Sequence, residues 1–245
     1  MRLHVTGATG YLGRELVRLR PDATAERVEI RDAAAVGELL ERVRPDVVVH
    51  TAYRQEGEGA WAVNVDGAEN VARAAAAAGA RLVHLSTDVV FDGHKGSAYV
   101  EEDEPGPVTD YGRAKAAAEE RVAAVHPAAL IVRTSLLYGG SEPSKHELAA
   151  HDRSLTFYTN EIRSPVQVGD LAAAVLELAA LDVFGALHVA GADAVSRAEF
   201  AKLIAGRPVR TGEAPPTRPL DCTLDSSRAQ ALVRTRLRGV REVLA

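Results

Sequence analysis

Three features of the sequence predict an α/β fold with a doubly wound, mostly parallel sheet and a small C-terminal lobe. Short apolar segments alternate with longer helical ones from Arg2 to Thr134, and such alternation requires crossover connections with helices on both sheet faces. A glycine-rich stretch, Thr6-Gly7-Ala8-Thr9-Gly10-Tyr11-Leu12-Gly13, stands between the first strand and the first helix. Beyond Gly139 the pattern breaks into short pieces separated by Pro143, Pro165, Pro208 and the run Pro215, Pro216 and Pro219. At 245 residues the chain suits one large domain, spanning 1–245, in which residues from about 139 onward form the lobe.

Arg2 to Thr6 is short, partly β-branched and stops at Gly7, so it reads as a strand. Tyr11 to Arg20 spaces Leu12, Leu16 and Leu19 along one helical face. The stretch from Arg20 to Asp32 is too short for a full second strand and its usual loop. Val47 to His50 reads as a buried strand, Ala60 to Ala78 as a helix ended by Gly79, and Arg81 to Ser86 as another strand. A helix over Tyr111 to His126 and a strand over Ala129 to Thr134 follow. In the lobe, Asp170 is expected to cap a helix reaching Ala180, and Ser196-Arg197-Ala198-Glu199 matches a capping box. The lobe is expected to cover the carboxyl edge of the sheet, where ligands bind in open α/β folds.

Composition narrows the partners. A formal charge of -5, with acids and bases interspersed, leaves no footprint for nucleic acid or an anionic membrane. The longest apolar stretch, Leu171 to Ala190, is interrupted by Glu177 and Asp182 and does not read as a membrane span. One cysteine, Cys222, excludes an intrachain disulfide and multi-cysteine metal sites, and no metal is expected. Met1 lies too near the glycine turn for a signal peptide, so a cytoplasmic protein acting on a small molecule is expected. The oligomeric state stays open, a homodimer included.

The glycine turn points to a dinucleotide. Glycines there permit a tight turn and close approach of a pyrophosphate, which the free amides and dipole of the helix N-terminus favour. Gly7, Thr9, Gly10, Tyr11 and Leu12 are the candidate contacts. For the adenosine, Glu29 or Asp32 are candidates, each equally readable as a solvated acid. Arg14 and Arg20 could support a 2′-phosphate or be ordinary surface charge, so NADH and NADPH both remain open.

Tyr111-Gly112-Arg113-Ala114-Lys115 puts a phenol and an ammonium one turn apart on a helix. A nearby ammonium is a direct means of lowering a tyrosine pKa, so Tyr111 could protonate a carbonyl as hydride reaches its carbon. Lys115 could also hold the nicotinamide ribose. Ser86-Thr87-Asp88 follows a buried strand, where the Thr87 hydroxyl could bond the same carbonyl oxygen. Each motif singly has a bland reading, as surface pairing or a Ser/Thr turn.

Taken together, TGATGYLG, RPDVVVHTAY, AVNVDG, RLVHLSTDVVFDG, YGRAK, IVRTSLLYG, SPVQVGDLA and RPLDCTLDSSRA resemble the extended short-chain dehydrogenase/reductase family, in particular its dTDP-4-dehydrorhamnose reductase branch. The likeness spans nearly the whole chain. It implies a Rossmann-type sheet, a substrate lobe, and an NAD(P)H-dependent reductase of a 4-keto nucleotide sugar. Thr87, Tyr111 and Lys115 would be its catalytic residues. Ala52, Tyr53 and Asn64 would join the cofactor contacts, and Asp88, Val89 and Arg218 would join Thr87 at the substrate. The sequence departs from the family in a shortened loop between Tyr53 and Asn64, in Leu136 where many relatives carry tryptophan, and in Gly140 to His146, which lacks an Asn-Phe pair. Epimerases and dehydratases share the same core motifs, and a catalytically silent dinucleotide-binding subunit is a third reading. Dehydratases carry Asp-Glu after the threonine, whereas this chain has Asp88-Val89.

Overall fold

The computed structural model describes all 245 residues. Its first half runs β1 (Leu3–Thr6), α1 (Tyr11–Leu19), α2 (Ala33–Val43), β2 (Val47–His50), α3 (Gly67–Ala77), β3 (Arg81–Thr87), α4 (Asp110–Val125) and β4 (Leu130–Thr134). The second half adds β5 (Leu137–Tyr138), α5 (Lys145–His151), β6 (Phe157–Tyr158), β7 (Ile162–Arg163), β8 (Val166–Gln167), α6 (Val168–Ala179), β9 (Gly185–His188), β10 (Val195–Ser196), α7 (Arg197–Ala205), β11 (Thr211–Gly212), α8 (Ser227–Leu232) and α9 (Val240–Val243). The main sheet has the order β1-β2-β3-β4-β9, every pair parallel, as the alternating pattern requires.

No full strand forms between α1 and α2. Thr24 alone pairs with β1, exchanging backbone bonds with Leu3 and Val5 at 2.9 Å each. The helix α2 is an element beyond those expected, although its signals are present in the sequence: Asp32 caps it, accepting from the Ala35 amide at 3.1 Å, and Val36, Leu39 and Leu40 supply its buried stripe. The helix expected over Ala60 to Ala78 begins as a π-helical turn, Ala62–Asp66, which turns Asn64 inward. The expected cap of α6 is also corrected. Gln167 accepts from the Asp170 amide at 2.8 Å, while Asp170 in the first turn pairs with Arg238 at 2.8 Å. Ser196 caps α7 by accepting from the Glu199 amide at 3.0 Å, but the Glu199 carboxylate goes to Arg241 at 2.7 Å.

The residues after Gly139 are not one block. The helix α6 and strand β9 return to the main sheet, because α6 presents Leu171, Val175 and Leu178 to the core beneath β1 to β4. The lobe proper is built from the two-stranded pairs β5·β8, β6·β11 and β7·β10, with α5 packed on α7.

The two faces of the main sheet differ. Under α1 and α6 its middle is apolar, with Leu3, Val5, Val47, Val49, Val83, Leu130 and Val132, and polar side chains of this face stand only at strand ends, at Arg81, Thr87 and Thr134. Under α3 and α4 the row of Val48 and Leu82 is apolar apart from the buried His4 on β1, the next row sets His50 and His84 beside Ile131, and the row nearest the carboxyl ends carries Ser86, Arg133 and His188, all buried. Period-two alternation along VVVH and VHLST produces this split. The polar rows are satisfied partly from α4, where Glu119 accepts from Ser86 and from Arg133 Nη2 at 2.8 Å. This polar layer lies directly below the carboxyl ends of β2 and β3.

Candidate active site

The glycine turn leads from β1 into α1, and its three glycines differ in what the fold asks of them. Gly7 has φ +71°, and a Cβ there would lie 2.6 Å from the Ala52 amide nitrogen. A Cβ on Gly13 would lie 2.2 Å from the Gly7 carbonyl oxygen, so that glycine lets α1 pack on its own turn. Gly10 has ordinary φ of -73°, and its Cβ would meet only the Gly7 oxygen, at 3.1 Å. Apart from that one close contact, Gly10 is open to the cleft it lines. It is the N-cap of α1, no side chain caps that helix, and its first turn carries no acid, so its free amides suit an anionic group.

Gly10, Tyr11 and Leu12 line one wall of a cleft of about 400 Å³; Thr87, Asp88, Val89, Tyr111 and Lys115 line another. The structure thus brings together the glycine turn and all three residues expected to be catalytic. Thr87 ends β3, opposite Thr134 on β4. Its hydroxyl donates to Asp88 Oδ1 at 3.1 Å, and Asp88 Oδ2 accepts from Ser135 Oγ at 2.6 Å and faces Arg163 Nε at 3.6 Å. Burial pushes the Asp88 carboxyl up, against the opposing pull of Arg163, Ser135 and Thr87.

Tyr111 and Lys115 ride on α4, capped by Thr109, which accepts from the Gly112 amide at 3.0 Å. Gly112 has a reason of its own: a Cβ would lie 2.2 Å from the Val89 oxygen, so glycine lets α4 close on the turn that bears Val89. Burial pushes the Tyr111 phenol well up, with Tyr53 and Asp88 adding to the shift. This reverses the expected lowering by Lys115. The ammonium is directed elsewhere, donating to Leu85 O at 2.6 Å and His84 Nε2 at 3.0 Å, and burial lowers it to about 8. Tyr111 is held as an acid, the form that can give a proton.

Other expected contacts land unevenly. Tyr53 lines the cleft, half exposed, with its ring 5.9 Å from that of Tyr111. Ala52 stands behind Gly7 and shapes the turn. Asn64 is buried and spends its amide on the Arg54 backbone, at 2.9 and 2.6 Å, so it fixes the Tyr53 loop from behind. Gly7, Thr9 and Glu29 do not line the cleft. Glu29 is exposed and paired with Arg31 at 2.9 Å, which holds its carboxyl down to about 2. The truncated second strand removes the position from which an acid would normally reach an adenosine ribose. Asp32 is spent as a helix cap. Arg218 also stands off the cleft, 3.1 Å from Glu161 and over the Tyr158 ring.

Sequence reasoning missed the lobe's contribution. Ser144, Lys145 and His146 close the cleft from α5, whose capping box, Ser144 with Glu147, was legible in the sequence. Tyr11 joins the two sides, donating to Glu147 at 3.2 Å and accepting from the Gly140 amide at 2.7 Å. Lys145 donates to Gln55 across the cleft mouth. Arg197, at the start of α7, faces His146 Nδ1 at 3.4 Å, and burial lowers its guanidinium. No group of three or more His, Cys, Asp or Glu side chains stands together as a metal site, and no helix is long and apolar enough to cross a membrane.

The profile of the RmlD substrate binding domain family matches residues 1–245. A dTDP-4-dehydrorhamnose reductase of Mycolicibacterium smegmatis is 34% identical, over 99% of this chain and 84% of that protein. One from Mycobacterium tuberculosis is 37% identical, over 80% and 72%. Among solved structures, the dTDP-4-dehydrorhamnose reductase of Bacillus anthracis in complex with NADP superposes with a TM-score of 0.86 at 27% identity, over 99% of this chain and 96% of that one. The Clostridium acetobutylicum counterpart gives 0.86 at 27%, over 100% and 97%.

Proposed function

The chain belongs to the RmlD substrate binding domain family and is an NAD(P)-dependent oxidoreductase like the dTDP-4-dehydrorhamnose reductases, and from that premise we propose that Thr87, Tyr111 and Lys115 reduce a 4-keto nucleotide sugar in this cleft. The observation that carries the assignment is the convergence of these three side chains with the uncapped start of α1 on one cleft. Gly10, Tyr11 and Leu12 hold the dinucleotide, whose reduced nicotinamide supplies the hydride when bound. Tyr111 gives its phenolic proton to the carbonyl oxygen as that oxygen becomes an alkoxide. Thr87 orients the same oxygen, its hydroxyl fixed by Asp88. Lys115 has one N–H left beyond those given to His84 and Leu85, and it would hold the nicotinamide ribose of the bound dinucleotide.

Reduction is favoured over dehydration by Asp88 and Val89. Elimination needs a free carboxylate beside the threonine, yet Val89 supplies none and Asp88 is occupied by Thr87, Ser135 and Arg163. Lys145, His146 and Arg197 suit the diphosphate of the nucleotide sugar, with Arg218 farther out on the lobe. The buried free thiol of Cys222 supports a reducing, cytoplasmic setting.

The test is incubation of purified protein with a dTDP-4-keto-6-deoxy sugar and NADH or NADPH, following cofactor absorbance and product. Stoichiometric oxidation of the cofactor is expected. Conversion of a 4-hydroxy nucleotide sugar with no net cofactor change would overturn the reading in favour of an epimerase or dehydratase.

A further inference from the structure

Beneath the cleft, two histidines on neighbouring strands stand in a place the reaction does not explain. His84 on β3 and His50 on β2 are register partners, 0% and 1% exposed, with stacked rings 5.2 Å apart. His84 Nε2 lies 3.0 Å from Lys115 Nζ, and His50 Nδ1 lies 2.6 Å from Thr6 Oγ1, at the foot of the glycine turn. Buried imidazoles are ordinarily satisfied at both nitrogens, but His84 Nδ1 and His50 Nε2 have no partner. Packing alone would be met by leucine or valine, the residues that fill the row below.

We propose that His84 is a positioning residue for Lys115, a neutral imidazole whose Nε2 accepts one N–H of the buried ammonium and so aims the remaining N–H at the cofactor ribose. An ammonium has donors only, so this bond requires His84 to carry its proton on Nδ1. A protonated His84 would lose the acceptor and set a second positive charge against Lys115. Burial and the Lys115 charge, with His50 adding, keep His84 well below its ordinary pKa, and His50 is lowered to about 3. The same state follows from the geometry, since a nitrogen that accepts from an ammonium belongs to a neutral imidazole.

The groups facing Lys115 leave His84 as its main side-chain acceptor. From α4, Glu119 lies one turn on and favours the ammonium, but its carboxylate is occupied by Ser86 and Arg133. Tyr111, from the same helix, is held protonated. From β2, the uncharged His50 lies behind His84. From β4, Arg133 is tied to Glu119, and from the turn after β3, Asp88 is tied to Thr87 and Ser135. With two N–H groups fixed in a tetrahedral ammonium, the direction of the third is set.

The proposal rests on Lys115 being catalytic, and two measurements separate the claims. In wild-type protein, long-range ¹H–¹⁵N imidazole spectra at neutral pH read the tautomer directly, with no variant to misfold. A neutral Nδ1–H tautomer for His84 is expected, and an Nε2–H tautomer or an imidazolium would overturn the proposal. In kinetics, His84→Leu is expected to lower kcat/KM about 10- to 100-fold, the scale of one hydrogen bond to a charged group. It should also move the alkaline limb of the pH–rate profile down by about one unit, since the ammonium loses an acceptor. His84→Gln, which keeps a carbonyl acceptor, should recover most of both. Equal losses in the two variants with an unmoved limb would mean that His84 only fills space. Lys115→Ala is the control for the assignment of the site: near wild-type turnover there would sink the catalytic reading, whatever the tautomer of His84.

Discussion

Gly7 and Gly10 lie three residues apart in one turn, yet substituting them is expected to fail in opposite ways. A methyl group on Gly7 incurs a left-handed backbone at φ +71°, which costs about 1 to 2 kcal/mol with a Cβ present. It also overlaps the Ala52 backbone at 2.6 and 2.7 Å and Thr51 Oγ1 at 2.8 Å. Such overpacking costs about 1 to 3 kcal/mol. Gly7→Ala should therefore lose about 2 to 5 kcal/mol, lowering Tm by roughly 4 to 20 °C for a domain of this size. Gly10→Val carries no backbone penalty, because its φ of -73° admits valine, and its one close contact, the Gly7 oxygen at 3.1 Å, is milder than the overlaps at Gly7. Helix capping weakens as well, by about 1 kcal/mol. The isopropyl group instead fills the approach to the free amides of α1, forfeiting about 2 kcal/mol of helix-terminus attraction and hence about 30-fold or more in dinucleotide affinity. Thermal melts paired with calorimetric titration of NADH and NADPH distinguish the two. An unchanged Kd for both dinucleotides in Gly10→Val, or an unmoved Tm in Gly7→Ala, would refute the division of roles.

Tyr111→Phe should reduce turnover by about 10² to 10⁴ while dinucleotide affinity stays nearly constant, and a variant that still turned over at the wild-type rate would remove Tyr111 from proton transfer. Asp88→Asn takes the anionic acceptor from Thr87 and the neighbouring charge from Arg163; kcat should fall about tenfold with KM little changed, because the interaction acts on the carbonyl oxygen, and a change in KM alone would contradict this. Stability should also fall with acid. His50 is lowered to about 3 in the fold against 6.5 as its ordinary value, so the unfolded chain binds the extra proton between those limits. The stabilisation is complete above pH 6.5 and is lost progressively as pH falls toward 3, amounting to about 2 kcal/mol by pH 5. Urea midpoints that stay flat from pH 6.5 to 5 would show that His50 is not held neutral.

The parallel sheet, the glycine turn and the grouping of Thr87, Tyr111 and Lys115, the residues proposed as catalytic, were legible in the sequence because each is local. Strand alternation, a turn between a strand and a helix, and a one-turn spacing on α4 are all fixed by neighbours along the chain. The caps were only half legible, since Asp32, Gln167 and Ser196 each had several polar residues nearby that could have served. The polar rows on one sheet face were not legible. His50, His84, Ser86 and Arg133 lie far apart in sequence and form one layer only when β2, β3 and β4 fall into register against Glu119 and Lys115. Tertiary structure likewise decided that Lys115 spends its charge on His84 and Leu85 rather than on lowering Tyr111, since burial, which outweighs an expected neighbour, is a property of the assembled cleft. Spacing along the chain determines which groups can meet; the packing around them determines their charge and direction.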